Sequence, residues 1–162
     1  MEKFMHISKI DIPIDNRESL IALLNQRLAD AADLKSQAKQ AHWNVKGMSF
    51  IALHELFDQV ATAADGHTDL IAERITTLGG TAFGTVRQSA QKSSLSEYPL
   101  EITDGTAHVD ALSSALADFG KKVRADIDKA SELGDQDTAD LLTEVSRETD
   151  KNLWFVEAHI QS

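Results

Sequence analysis

Five residues between Ala41 and Gly80 are of the types that hold a metal ion: His42, His54, Asp58, Asp69 and Glu73. His54/Asp58 and Asp69/Glu73 are i, i+4 pairs, so on a helix each pair occupies one face, one turn apart. Imidazole and carboxylate donors suit iron, zinc or manganese. The chain has no cysteine, which excludes thiolate metal sites, disulfides and cysteine nucleophiles. On a straight helix His54, Asp58, Asp69 and Glu73 lie at roughly 0°, 40°, 60° and 100°, a single stripe. Asp58 and Asp69 are nevertheless about 16 Å apart along the axis, too far for one helix to bring all four to one metal. A second copy packed antiparallel about a twofold axis sets its Asp69 and Glu73 beside His54 and Asp58, and makes two identical sites. The small residues at the centre, Ala61, Thr62, Ala63, Ala64 and Gly66, permit that close approach. Charged i, i+4 pairs also occur on solvated faces and alanine is a good helix former, so spacing alone leaves both readings open.

The elements that must position these residues are helical. Asp15-Asn16-Arg17-Glu18 has the form of a capping box, after which Leu20, Leu23, Leu24, Leu28, Ala31 and Leu34 recur at helical spacing to about Val45. Ser49 can cap a second helix from about Phe50 to Leu78, closed by Gly79-Gly80. Residues 81–103 read as a long connection with a short helix near 85–93. A third long helix is predicted from about Thr106 to Leu133, ending at Gly134, and a fourth from near Asp137. Four helices with one long connection between the second and third is the ferritin-like bundle arrangement, and so long a loop is rare in a compact domain without such a reason. The fold class is therefore all-α, one ferritin-like domain over 1–162 with residues 1–15 as a short tail. Such bundles build a two-metal site from Glu-x-x-His motifs within one subunit. This chain has none, so its ligands must converge another way.

The length of 162 residues suffices for a core without disulfides. The N-terminus lacks the apolar run of a signal peptide and no stretch reaches membrane-spanning length, so a cytoplasmic protein without a membrane partner is expected. The formal net charge of −10 weighs against general attraction to nucleic acid and is compatible with attracting cations.

Ala41-His42-Trp43-Asn44, His54-Glu55-Leu56-Phe57-Asp58 and Asp69-Leu70-Ile71-Ala72-Glu73-Arg74 resemble the signature of the Dps family, the mini-ferritins. The likeness extends from the first helix to Lys151–His159 and is most specific within residues 41–80. It implies a homo-dodecameric hollow shell that oxidises Fe(II), preferring hydrogen peroxide to dioxygen, and stores a ferric mineral, with zinc as a competing metal. It assigns His42, His54 and Asp58 to a di-iron site from one subunit, and Asp69 and Glu73 from its neighbour. Trp43 stands where the family places a tryptophan near the metals, either as a local electron donor that catches stray radicals or as a core aromatic. Among the acids leading into the fourth helix, Asp135, Asp137, Asp140 and Glu144, the resemblance favours Asp140 as a threefold-pore residue that passes iron. Acids here also cap helices and complement the dipole.

Other residues carry less. Lys39, one turn before His42, either orients a ligand or is a surface lysine; His67 lies roughly 220° from His54 and reads as packed or exposed. His6, His108 and His159 show no partner in the sequence. Family members that bind DNA often do so through a lysine-rich tail, whereas residues 1–16 offer Lys3 and Lys9 against Glu2, Asp11 and Asp15. Weak or no DNA binding is expected, against the competing reading of a nucleoid-compacting protein with secondary iron sequestration. A zinc hydrolase is the third reading, because His54–Asp58 resembles His-Glu-x-x-His with its last histidine replaced; it requires Glu55 as a general base in a cleft.

Overall fold

The computed structural model describes residues 5–161. The first part of the expected tail, including Glu2 and Lys3, lies outside the described residues. Five helices follow in order: α1 (Ile14–Asn44), α2 (Phe50–Thr77), α3 (Val86–Lys92), α4 (Gly105–Glu132) and α5 (Gln136–Glu157). No strand is present among the described residues; Lys46 and Asp104 form an isolated parallel bridge. α1 packs against α2 and α4 against α5 as two hairpins, which join through α1–α4 and α2–α5 contacts into a four-helix bundle.

The core follows the helical periods. Leu20, Leu24, Leu28, Ala31, Leu34, Ala38 and Ala41 form the buried stripe of α1, facing Leu53, Phe57, Val60, Ala64, Ile71 and Ile75 of α2. Leu112, Leu116, Phe119 and Val123 of α4 and Leu142, Val145 and Val156 of α5 complete it. Burying each large apolar side chain contributes about 1.5–3 kcal/mol, so these stripes fix which face of each helix is left for chemistry.

The helix ends divide the expectations. Gly79 (φ +92°) and Gly134 (φ +77°) terminate α2 and α4 as predicted. Gly80 N–H donates to Ile75 O at 2.9 Å and Gly79 N–H to Thr76 O at 3.0 Å, satisfying carbonyls the helix leaves free. The expected capping box is corrected. α1 begins at Ile14 with Pro13 as its N-cap and no side-chain cap bond, because Pro13 O already accepts from Arg17 N–H at 3.0 Å. Asp15 falls inside the first turn, where it complements the dipole. Ser49 is the N-cap of α2 but its hydroxyl makes no cap bond.

Gly79 is also a contact point. A Cβ there would sit 2.7 Å from His6 O, and its own carbonyl accepts from His6 N–H at 2.8 Å. Gly79→Ala is expected to destabilise the fold by about 2–3 kcal/mol, combining the positive-φ penalty with a backbone clash that no rotamer relieves. Chemical denaturation checks this, and an effect below about 0.5 kcal/mol, the size of an ordinary surface change, would contradict it.

The connection between α2 and α4 is laid along α1. Asn25 Nδ2 donates to Thr81 O, Gln26 Nε2 to Lys92 O and Gln37 Nε2 to Ser96 O, while Asp30 accepts from Ser94 N–H at 2.6 Å. Lys46 N–H then donates to Thr103 O at 2.8 Å. Partners advance along α1 in step with the connection, which therefore returns the chain to the end where α2 began, and α4 runs parallel to α2. At the middle of this strap Arg27 makes ion contacts with Asp30 (3.0 Å) and with Asp126 of α4 (2.9 Å), all three being buried.

Candidate metal centre

His42, near the end of α1, and His54, in the second turn of α2, stack with ring centroids 3.8 Å apart and planes 19° from parallel. Each ring reaches across the helix pair to the other's backbone: His42 Nδ1 lies 2.6 Å from His54 O, and His54 Nδ1 lies 2.7 Å from His42 O. A carbonyl only accepts, so both Nδ1 atoms carry the proton and both Nε2 atoms keep a free lone pair. This is the tautomer a metal ligand needs, fixed by backbone before any metal arrives.

Asp58, one turn along α2 from His54, takes an ion pair and hydrogen bond from Lys39 of α1. The hydrogen bond and charge of the Lys39 ammonium hold its carboxyl below the usual range, outweighing the opposing effect of desolvation. Lys39 is thus a partly exposed lysine paired with the candidate ligand Asp58.

His42, His54, Asp58 and Asp69 line one open groove of about 1140 Å³ between α2 and α5, with Glu144 and Glu148 on the α5 side. Asp69 and Glu73 are exposed further along α2. Among the described residues no three His, Asp or Glu side chains converge closely enough to hold a metal ion. The two candidate groups, His42/His54/Asp58 and Asp69/Glu73, stand apart along α2 and do not converge within one chain.

The remaining candidates separate clearly. Trp43 is 66% exposed, so it is not a core aromatic of this chain. Asp140 is exposed. Asp135 is committed elsewhere: buried, it caps α5 through Thr138 N–H and takes Arg74 Nη2 of α2 at 2.8 and 2.9 Å. Burial disfavours its charge, but hydrogen bonds from Thr138 and Arg74 outweigh that and hold its pKa below the ordinary 3.8. The unfolded chain then binds the extra proton, so the stabilisation from Asp135 is complete above pH 3.8 and is lost as pH falls through the lower folded value. Asp135→Asn is expected to flatten the acid limb of the stability curve, followed by helical circular dichroism; an unchanged limb would assign acid lability to other groups.

Sequence reasoning found no partner for two histidines that the structure buries. His67 is 3% exposed, and its Nε2–H donates to Glu148 of α5 at 2.7 Å. Burial lowers its pKa, with Glu148 and Glu144 opposing. His108 is 1% exposed and bonded to Tyr98. Both partners are tertiary, and no local spacing announces them. Glu55 is exposed beside the open groove rather than enclosed in a cleft, which removes the geometric basis for a hydrolase.

Comparison with known proteins bears on the same residues. The family model described as ferritin-like domain matches residues 21–162. The DNA protection during starvation protein of Agrobacterium fabrum is 44% identical over 156 residues, covering 96% of either chain. The structure of DpsA14 from Streptomyces coelicolor superposes with a TM-score of 0.93 at 32% identity, covering 100% of this chain and 96% of that one. That of Dps from Microbacterium arborescens, described in its high iron form, gives 0.85 at 30% identity over 97% and 99%.

Proposed function

Because this chain belongs to the ferritin-like family and, within it, to the Dps proteins, we propose that it oxidises Fe(II) at sites shared between two copies and stores the product in a hollow dodecamer. The observation that carries this reading is the pair of half-sites. His42 and His54 offer two bare Nε2 atoms beside Asp58, while Asp69 and Glu73 stand about 16 and 22 Å from Asp58 along the same helix. An antiparallel second copy joins the halves twice over about one twofold axis.

The chain's own groups explain the selectivity. Two neutral imidazoles and up to three carboxylates give a site of high negative charge, which favours Fe(III) over Fe(II) and so draws the oxidation forward. Asp58 can bridge two ions, replacing the single Lys39 charge it holds at rest. Hydrogen peroxide then accepts one electron from each of two Fe(II) and two protons, giving two waters and two Fe(III), without releasing hydroxyl radical. Dioxygen is the slower oxidant in this reading, zinc competes for the imidazole half, and Asp140 lines the entry pore.

Gel filtration after adding Fe(II) and then peroxide tests the proposal, with protein and iron followed together. Iron co-eluting with a particle of roughly twelve subunits is the expected result, the closed assembly being built on twofold contacts. A small, iron-free species would overturn it. The relatives' names point to DNA protection, and the formal charge of −10 favours protection by removing iron and peroxide over compaction of the duplex. A clean mobility shift of duplex DNA at physiological salt would reverse that preference.

A further inference from the structure

Tyr98 is the only tyrosine in the chain. It lies in the connection after α3, half-buried, with its hydroxyl 2.7 Å from Nδ1 of His108 in the first turn of α4. The two rings are nearly parallel, with centroids 5.9 Å apart and planes at 20°. Phe57 of α2 lies on His108 as well, with centroids 6.4 Å apart. Phe57 belongs to the same helix as His54 and Asp58 and stands between them in sequence.

From this arrangement we propose that Tyr98 and His108 form a redox site, in which Tyr98 donates one electron while its phenolic proton passes to His108 Nδ1. The protonation states suit the transfer. Burial lowers the pKa of His108, and the Ile102 backbone and the Asp104 charge oppose it. His108 Nε2 makes no hydrogen bond within the chain, and with the imidazole proton there Nδ1 is the acceptor for the Tyr98 hydroxyl 2.7 Å away. Burial also raises the pKa of Tyr98, so the phenol keeps its proton. A phenol oxidised without a base would be left as a charged radical cation in a poorly solvated place; the adjacent imidazole converts it to the neutral phenoxyl.

The step balances with reactants at hand. Where peroxide meets a single Fe(II) instead of a pair, it takes one electron and yields hydroxyl radical; that radical takes one electron from Tyr98 and one proton from solvent to become water, leaving phenoxyl and imidazolium. Fe(II) then returns the electron and His108 the proton, regenerating phenol and neutral imidazole with release of Fe(III). The pair thus turns a damaging oxidant into one more oxidised iron. Only the source of the oxidant rests on the ferroxidase reading.

The experiment separates the two. Iron-free protein is oxidised by flash photolysis with ruthenium tris-bipyridine and persulfate, and phenoxyl is read by absorption and electron paramagnetic resonance. The exposed Trp43 and Trp154 give indolyl radicals with a different spectrum. Wild type is expected to form phenoxyl, Tyr98→Phe none, and His108→Gln to form it about 100-fold more slowly, as loss of a general base implies. No phenoxyl in wild type, or an equal rate in His108→Gln, would overturn the proposal, since a merely structural pin does not change that rate. In a second arm Fe(II) and peroxide replace the photo-oxidant, and Tyr98→Phe is expected to release more spin-trapped hydroxyl radical than wild type. Phenoxyl in the first arm with no iron oxidised in the second leaves the pair standing and removes the ferroxidase reading. Iron oxidation with no phenoxyl in either arm does the reverse.

Discussion

Asp58→Ala is expected to lower peroxide-driven iron oxidation by about 100-fold or more while leaving the bundle folded, since even partners of metal ligands are worth 10–100-fold. The side chain of Asp58 is 45% exposed and its one ion pair, with Lys39, is of the surface kind. Such pairs contribute about 0–1 kcal/mol, so a large loss of activity with little loss of stability isolates a chemical role. Glu73→Ala is expected to be equally inactive. The decisive result comes from assembling the two variants together. In a mixed dimer one site carries both defects and the other carries neither, so random co-assembly restores roughly a quarter of wild-type sites. Recovery near that level places the two half-sites on different copies. No recovery, with co-assembly confirmed, would mean that each site is built within one chain.

The second large effect lies far from the groove. Arg27→Met removes the cation that faces both Asp30 and Asp126 at 3.0 and 2.9 Å, in a place where all three residues are less than a tenth exposed. Breaking a buried pair by deleting one partner costs about 3–5 kcal/mol, because the remaining charge keeps its desolvation penalty. Asp30 retains Ser94 as a donor. Asp126 does not have that support: burial already raises its pKa, and Arg27 and Lys129 hold it down. In the variant its pKa rises further, so the folded state binds a proton the unfolded chain releases. Stability then falls as pH increases from the ordinary 3.8 through the raised folded value, and the deficit of Arg27→Met is expected to be larger at neutral than at acid pH. Arg27→Met with Asp126→Leu is expected to recover most of the loss. Denaturation at matched protein concentration reads wild type and both variants, and a deficit that shrinks with rising pH would contradict the account.

How much of this could be read from residues alone depends on the range of the interaction. The glycine ends of α2 and α4 are local chemistry, and Gly79 and Gly134 stand where the periodicity ends. The one-stripe geometry of His54, Asp58, Asp69 and Glu73 is likewise a property of one helix. Ser49 stands at the N-cap of α2 as its motif suggests, though without a hydroxyl bond, whereas Asp15 does not cap α1, because a cap motif states what a side chain can do while Pro13 decides where α1 begins. The crossed bonds between His42 and His54 needed two helices in register. Asn25, Gln26, Asp30, Asp33 and Gln37 look like a solvated face of α1 until the connection is laid on them. His67 and Glu148 are 81 residues apart, and nothing near either one signals the other.

That strap along α1 also orders the way the molecule comes together. Within each hairpin the contacts are close in sequence, and such contacts form fast. The strap bonds join residues 56 to 66 apart, and they have no template until α1 is helical. Only when they close does Asp104 arrive beside Lys46 and α4 acquire its starting point. The chain is therefore expected to assemble as two local units joined by a late, sequential zippering. The Phe83 and Ser94 amides, which donate to Asn25 and Asp30 of α1, are expected to open and exchange with solvent before the amides of the bundle helices.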